Sequence, residues 1–310
     1  MLQLRELGGI RVKNSLLIVN PAAGQGKPQR ALDQIGAALG PLLGKMVVTQ
    51  KAGDAEAAAR DASENGFDAV LAAGGDGTIN EVLNGLLTAP NAAKPLPLGL
   101  VPFGTQNVLA QELGLPAPDD FLATVALLRA GKTRILDVGL AGTRYFALMA
   151  GFGFDAVVVR EVRGPVKDLI GPAAYAFATL GALARYRSTA ITLTLDGEEI
   201  RSEAFLVVVA NAASYAYGQV KLAPFAAPDD GWLDICVFER SPMNQVGFAN
   251  QIMAVLARRH LRDPSVRYYR ARTIALASDP PIQGHLDGET FGATPIVITI
   301  VPRILPVFVP

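Results

Sequence analysis

Leu71-Ala72-Ala73-Gly74-Gly75-Asp76-Gly77-Thr78 decides how this chain is read. The apolar run over residues 67–73 predicts a buried strand, which breaks into glycines, an aspartate and a threonine. Beyond it, Ile79, Val82, Leu83, Leu86 and Leu87 recur on one face of a helix. Strand, glycine turn and helix start in that order make a phosphate site. Glycines let backbone N–H groups approach an anion that a Cβ would block, and the helix start adds unpaired donors and a favourable dipole. Asp76 is out of place beside phosphate unless a metal or a set of donors lies between them. The combination points to a nucleotide with Mg²⁺, and hence to phosphoryl transfer. Gly-Asp-Gly alone is more often a structural turn; the longer Gly-Gly-Asp-Gly-Thr between strand and helix is what favours a ligand.

Outward from that loop the same grammar repeats. Strands are expected over 15–19, 45–50 and 96–101, with helices over 29–39, 55–64 and from about 107. Alternating strands and helices imply a parallel sheet covered on both faces, with ligands at the carboxyl ends of its strands. Three further loops fall at those ends. They are Asn20-Pro21-Ala22-Ala23-Gly24-Gln25-Gly26-Lys27, then Thr49 with Gly53-Asp54-Ala55, and Pro102-Phe103-Gly104-Thr105-Gln106-Asn107. The first is only loosely a P-loop, and Asp54 reads equally well as a helix N-cap.

After about Arg134 the pattern changes to hairpins. One runs over 134–140 and 145–150, another over 191–195 and 198–200 across Asp196-Gly197, a favoured hairpin dipeptide. Strands over 204–210, 233–238, 273–277 and 295–301 follow, with helices over about 166–186 and 242–260. The expected fold is an α/β nucleotide-binding domain over 1–134 and an antiparallel β-rich substrate domain over 135–302. A two-domain enzyme of this kind places its active site in a cleft.

Bulk properties narrow the class. Of the 310 residues half are hydrophobic and 18% charged, and 28 basic residues balance 28 acidic ones, which argues against a dedicated nucleic-acid binder. The single cysteine, Cys236, excludes internal disulfides and fits a reducing compartment. Residues 1–14 lack the apolar core of a secretory signal, and the membrane-like stretch 169–186 is interrupted by Gly171, Pro172 and Gly181. The expected location is cytoplasmic, with peripheral attachment at the inner membrane face left open. His260 and His285 are too few for a zinc site, and no Gly-x-Ser-x-Gly nucleophile elbow occurs.

Together, Asn20-Pro21 with Gly24, Gly53-Asp54-Ala55, Gly74 to Thr78, Gly104-Thr105 with Asn107, and Leu286-Asp287-Gly288-Glu289 resemble the catalytic domain of the diacylglycerol kinase family, which includes bacterial lipid kinases and sphingosine kinases. The glycine-aspartate loop is shared with NAD kinases and phosphofructokinases; the full set is more specific to lipid kinases. The resemblance implies a nucleotide-binding first domain, a β-sandwich second domain, and a chain end over 303–310 that packs back on the first. It implies ATP contacts from Asn20, Thr49, Gly74, Gly75, Asp76, Gly77, Thr78, Asn80, Glu81, Gly104 and Thr105. Asp76, Asp287 and Glu289 would be catalytic, with Glu289 favoured as general base on a lipid hydroxyl and Asp287 orienting it or coordinating metal; those two roles are interchangeable at this stage. A structural Mg²⁺ would be held by Asp230 with carbonyls of Ala227 and Trp232, in a stretch that also reads as a plain turn.

Leu-Asp-Gly-Glu occurs twice, at 195–198 and 286–289. The first copy reads as a hairpin turn, whereas the second follows Pro280-Pro281-Ile282-Gln283-Gly284-His285, which reads as a rigid loop that breaks the strand pattern. The expected partners are a lipid substrate at a membrane surface and no nucleic acid, with a homodimer left open. Arg258, Arg259, Arg262, Arg267, Arg270 and Arg272 form a basic cluster suited to an anionic leaflet, or simply a solvated face. The apolar stretch 169–183 would line an acyl groove or fill a core. Gln106-Asn107-Val108 departs from the family, where bacterial members often carry an acid at the position of Val108. A soluble-substrate kinase of the NAD kinase type and a non-catalytic nucleotide-binding regulator are the alternatives.

Overall fold

The computed structural model describes residues 10–23, 28–102, 107–118, 120–156, 186–215 and 220–310. Gly24, Lys27, Gly104, Thr105 and the stretch 166–185 therefore lie outside the described residues. The chain divides into two compact units, Met1–Asp137 with Arg303–Pro310, and Val138–Pro302.

The first unit is a mostly parallel α/β domain. Its elements are β1 (Ser15–Val19), α1 (Pro28–Leu39), β2 (Leu43–Val48), α2 (Asp54–Arg60), β3 (Ala69–Gly74), α3 (Asp76–Thr88), β4 (Leu98–Pro102), α4 (Val108–Glu112), α5 (Phe121–Ala130) and the start of β5 (Thr133–Ala141). β1 pairs in parallel with both β2 and β3, and β3 pairs in parallel with β4. Val307 of the chain's last strand pairs in parallel with Leu98. β1, β3 and β4 are buried along their whole length, as strands covered on both faces must be, while β2 is half exposed at the edge. Leu17, Val19, Leu71, Ala73 and Val101 of the sheet pack against Ile35, Leu39, Val125, Leu128 and Phe308.

Helix α3 forms where the apolar spacing predicts, burying Ile79, Val82, Leu83, Leu86 and Leu87. It stops at Ala89, whose extended backbone is what a following proline imposes. Helix α2 is shorter than its sequence pattern, because the chain turns from Asp61 to a left-handed Gly66 before β3.

The second unit is antiparallel. It holds the end of β5, then β6 (Arg144–Phe146), β7 (Met149–Gly153), β8 (Thr189–Leu195), β9 (Glu198–Ala210), β10 (Ser214–Tyr215), β11 (Val220–Lys221), β12 (Leu233–Glu239), α6 (Gln245–Leu256), β13 (Val266–Ala271), β14 (Thr273–Asp279), β15 (Gln283–Leu286), β16 (Glu289–Ala293) and the start of β17 (Ile296–Phe308). β9 is its centre, pairing with β7, β8 and β12. Alternate residues of β9 and β12 feed two cores. Val207, Val209, Leu233, Ile235 and Val237 pack one face, and Leu206, Val208, Cys236 and Phe238 the other. Cys236 is core filling, and burial pushes its thiol up to about 12.

Two expectations are corrected here. The predicted strand 145–150 is split at Ala147 and Leu148, because the N–H groups there turn to a side chain rather than to a neighbouring strand. The stretch 280–285 is not a loop throughout: residues 283–285 belong to β15, which with β16 flanks the second Leu-Asp-Gly-Glu as a hairpin in which Leu286 pairs with Glu289.

Candidate functional site

In the first unit, the strand order runs β2-β1-β3-β4. The chain leaves β1 toward β2 and returns across it to β3, so the switch point lies between the carboxyl ends of β1 and β3, where α/β sheets bind ligands. Asn20 follows β1 and Gly74 ends β3. The Asn20 N–H donates to the Ala73 carbonyl at 2.9 Å, and its side-chain Nδ2 donates to Thr78 Oγ1 at 3.0 Å. Gly74 is required by that contact: a Cβ there would lie 2.5 Å from Thr78 Oγ1. Gly75 is the N-cap of α3 and has no side chain to cap the first turn, so no N-cap side chain satisfies the first N–H groups of the helix. Gly75, Asp76 and Gly77 are half-buried, and Thr49, whose N–H donates to the Val19 carbonyl, is buried at the end of β2.

Asp76 has a protein partner that tempers its charge. Its Oδ1 accepts the Leu109 N–H at 3.4 Å, at the start of α4. The adjoining Val108 is buried, so apolar packing occupies the position beside it. Asn80 and Glu81 are hydrogen-bonded to residues of α3 and α2. Asn84 Nδ2 donates to both the carbonyl and the side-chain oxygen of buried Asn80. Glu81 Oε2 accepts the Ala55 N–H at 3.2 Å in the first turn of α2, a favourable place for a carboxylate. Asp54 is the first residue of α2, where Oδ2 accepts the Gln50 and Lys51 N–H groups; these bonds hold its carboxyl below the ordinary value.

In the second unit, both Leu-Asp-Gly-Glu copies form the same structure. Asp196 and Asp287 each have φ of 48°, and Gly197 and Gly288 have φ of 99° and 83°. Positive φ at both central residues is the type I′ hairpin turn. Both carboxylates then cap a neighbouring segment. Asp196 accepts the Arg272 and Thr273 N–H groups, with the shortest bond 2.8 Å. Asp287 accepts three consecutive N–H groups, from Ala147 at 2.8 Å and from Leu148 and Met149 at 2.9 Å each. The carbonyls of that bend are also fixed, since Asn211 Nδ2 donates to Ala147 O and the Asn211 N–H to Leu148 O, each at 2.8 Å. Asp287 is therefore an anchor for the turn that carries Glu289, which settles at the exposed start of β16.

Beneath the turn lies a buried network that motif reading did not find. His285 Nε2 meets Asp155 Oδ2 at 2.6 Å, and the Tyr215 hydroxyl donates to Asp155 Oδ1 at 2.5 Å. The Gly288 N–H donates to His285 Nδ1 at 3.2 Å, so the ring carries its proton on Nε2 and donates it to Asp155. Burial alone would raise the Asp155 carboxyl, but the His285 ring and the Tyr215 hydroxyl more than offset it and hold it below the ordinary value. Gly151 makes room for the pair: a Cβ there would stand 2.3 Å from His285 Nε2 and 2.7 Å from Asp155 Oδ2.

The stretch expected to hold a structural Mg²⁺ is committed otherwise. Asp230 Oδ1 accepts the Trp232 N–H at 3.1 Å, and Oδ2 is ion-paired to Arg270. Arg270 also reaches buried Asp234 at 3.4 Å, whose carboxyl burial raises, and both Arg270 and Arg272 lie over the Trp232 ring. With a guanidinium on its carboxylate, Asp230 with the Ala227 and Trp232 carbonyls does not fit a divalent cation. Among the described residues no group of three or more His, Cys, Asp or Glu side chains is placed to hold a metal.

Comparison with known proteins agrees with this geometry. Residues 14–141 match the diacylglycerol kinase catalytic domain, and residues 149–309 match the YegS C-terminal NAD kinase beta sandwich-like domain. A Staphylococcus saprophyticus protein named diacylglycerol kinase is 32% identical over 91% of this chain and 91% of its own length. A Staphylococcus aureus protein of the same name is 31% identical over 96% of this chain and 93% of its own. A crystal structure of a diacylglycerol kinase from Bacillus anthracis superposes with a TM-score of 0.76 at 27% identity, covering 96% of this chain and 97% of that one. Loop, hairpins and end-to-end similarity converge, and the chain belongs to the diacylglycerol kinase catalytic-domain family.

Proposed function

We propose that this chain is an ATP-dependent lipid kinase that transfers the γ-phosphate of ATP to a lipid hydroxyl, with diacylglycerol as the acceptor. The observation that carries this reading is the glycine-capped start of α3 at the β1/β3 switch point, in a chain whose relatives are named diacylglycerol kinase. In this reading the first turn of α3 receives the nucleotide phosphates, with Asn20, Thr49 and Thr78 shaping the pocket beside them. Mg²⁺ is small, keeps much of its shell from water and phosphate oxygens, and needs few protein ligands. Asp76, a single carboxylate at the loop, fits that need, and the bound ion would neutralise charge on the phosphoryl oxygens.

Transfer forms a bond between the lipid oxygen and the γ-phosphorus and breaks the bond from that phosphorus to the β-phosphate oxygen, so ADP leaves. The hydroxyl proton goes to Glu289, whose exposure at the start of β16 leaves it accessible to an acceptor. Asp287 and the His285–Asp155–Tyr215 network hold the turn that aims it. General-base assistance of this type contributes about 10²–10⁴ in rate.

The test is transfer of labelled γ-phosphate from ATP–Mg²⁺ to diacylglycerol, monoacylglycerol, phosphatidylglycerol, sphingosine and ceramide in mixed micelles, with NAD as soluble control. Diacylglycerol should be labelled, and Glu289→Gln should lower kcat about 10²-fold or more with ATP affinity unchanged. Label on NAD alone, or none on any acceptor despite ATP binding, refutes the reading.

A further inference from the structure

Helix α6 presents an outer face that its own core packing cannot absorb. Phe248 pins the inner face: it stacks on Phe205 at 4.6 Å between ring centres and meets Phe154 and Phe238 edge-on. Buried Gln251 fixes the same face by donating to the carbonyls of Glu239 and Ser265. With that face inward, Met243, Val246, Met253 and Leu256 point outward and are 58–62% exposed. Val246 and Met253 are seven residues apart and Leu256 falls three after Met253, so one stripe holds these three, and Met243 is exposed just ahead of the helix start. These four make up half of the exposed large hydrophobic side chains among the described residues. Soluble surfaces do not usually gather them so.

The charge along the stripe's own stretch of chain is basic. Residues 241–262 contain Arg258, Arg259 and Arg262 and no acidic residue. The rest of the basic cluster is already committed, Arg267 to Glu239, Arg270 to Asp230, and Arg272 to the Trp232 ring. Arg259 and Arg262 are exposed and form no ion pair with a described residue. An apolar helical stripe ending in arginines, with one acid, Asp263, following only after the last of them, is the composition of a helix that lies in a bilayer interface. A second copy of this chain would bring the same positive charge onto itself.

We infer that the outer face of α6 docks this protein on an anionic lipid surface, the side chains of Met243, Val246, Met253 and Leu256 entering the acyl boundary and Arg259 and Arg262 meeting headgroup phosphates. The docking face serves the lipid-kinase reading, since the acceptor lies in a bilayer, but it is tested without turnover. Full-length protein is sedimented with phosphatidylcholine vesicles and with vesicles that also contain phosphatidylglycerol. It should bind the anionic vesicles, and more weakly as salt rises. Met253→Asp with Leu256→Asp should abolish binding. Arg259→Glu with Arg262→Glu should weaken it at least about 25-fold, each arginine near such a surface being worth about fivefold. All variants should keep the wild-type melting temperature and the wild-type affinity for ATP. Vesicle binding that is absent in the wild type or unchanged in the variants overturns the inference, as does a wild-type dimer that these substitutions convert to monomer in light scattering. Vesicle binding lost in the variants while no lipid is phosphorylated by any of them would sink the kinase reading alone.

Discussion

Replacing Asp287 and Asp196 by alanine, one at a time, separates the anchor that serves a site from the anchor that serves only a hairpin. Both residues sit at φ of 48°, where alanine is disfavoured by about 1 kcal/mol, so that cost is common to both variants. The remainder differs. Asp287→Ala strips acceptors from three part-buried N–H groups, and at about 1 kcal/mol for each bond the total reaches about 4 kcal/mol. Asp196→Ala frees two exposed N–H groups that water can satisfy, for a total of about 2 kcal/mol. At about 2–4 °C per kcal/mol for a domain of this size, the midpoint of Asp287→Ala should fall about 4–8 °C below that of Asp196→Ala in thermal unfolding followed by circular dichroism. Phosphoryl transfer, assayed well below both midpoints, should collapse in Asp287→Ala, because the turn bearing Glu289 loses its tether to the bend at 147–149, and persist in Asp196→Ala. An Asp287→Ala protein that melts like the wild type yet transfers nothing would refute this reasoning, since the carboxylate would then act on the reactants and not on the backbone.

Two further outcomes follow from the buried network. Gly151→Ala places a methyl 2.3 Å from His285 Nε2 and should cost about 1–3 kcal/mol or more in urea unfolding; a cost under about 0.5 kcal/mol would mean the His285–Asp155 contact is dispensable. Asp155 is held charged in the fold, so its contribution to stability is present in full above the unfolded carboxyl value of about 4 and is lost as pH falls through the lower folded value. The stability gap between wild type and Asp155→Asn should therefore be flat from about pH 5 to 7 and shrink below about pH 4; a gap that stays constant to about pH 2 would show that the charge is not what Asp155 contributes.

What the chain discloses in one dimension follows the range of the physics involved. The loop at Gly74 to Thr78 is legible because strand, glycine turn and helix are neighbours in sequence, and α3 forms with the spacing that its apolar residues dictate. The parallel first sheet and antiparallel second one are legible for the same reason, β3 being one continuous buried run and β8 an alternating one. Element ends are less so: α2 stops at Arg60 where the pattern runs on, because a turn closed by Gly66 outweighs even the high helical propensity of its alanines. The two Leu-Asp-Gly-Glu copies mark the limit of local reading. Their flanks differ, yet both close type I′ hairpins, and what separates them is which segment of chain each aspartate tethers. His285 and Asp155 are 130 residues apart, and the sequence beside either one gives no hint of the other. Register alone joins them, since His285 pairs with Gly151 across β15 and β7. That pairing explains why Gly151 carries no side chain: the glycine is the imprint, on a distant strand, of a histidine whose ring must reach past it.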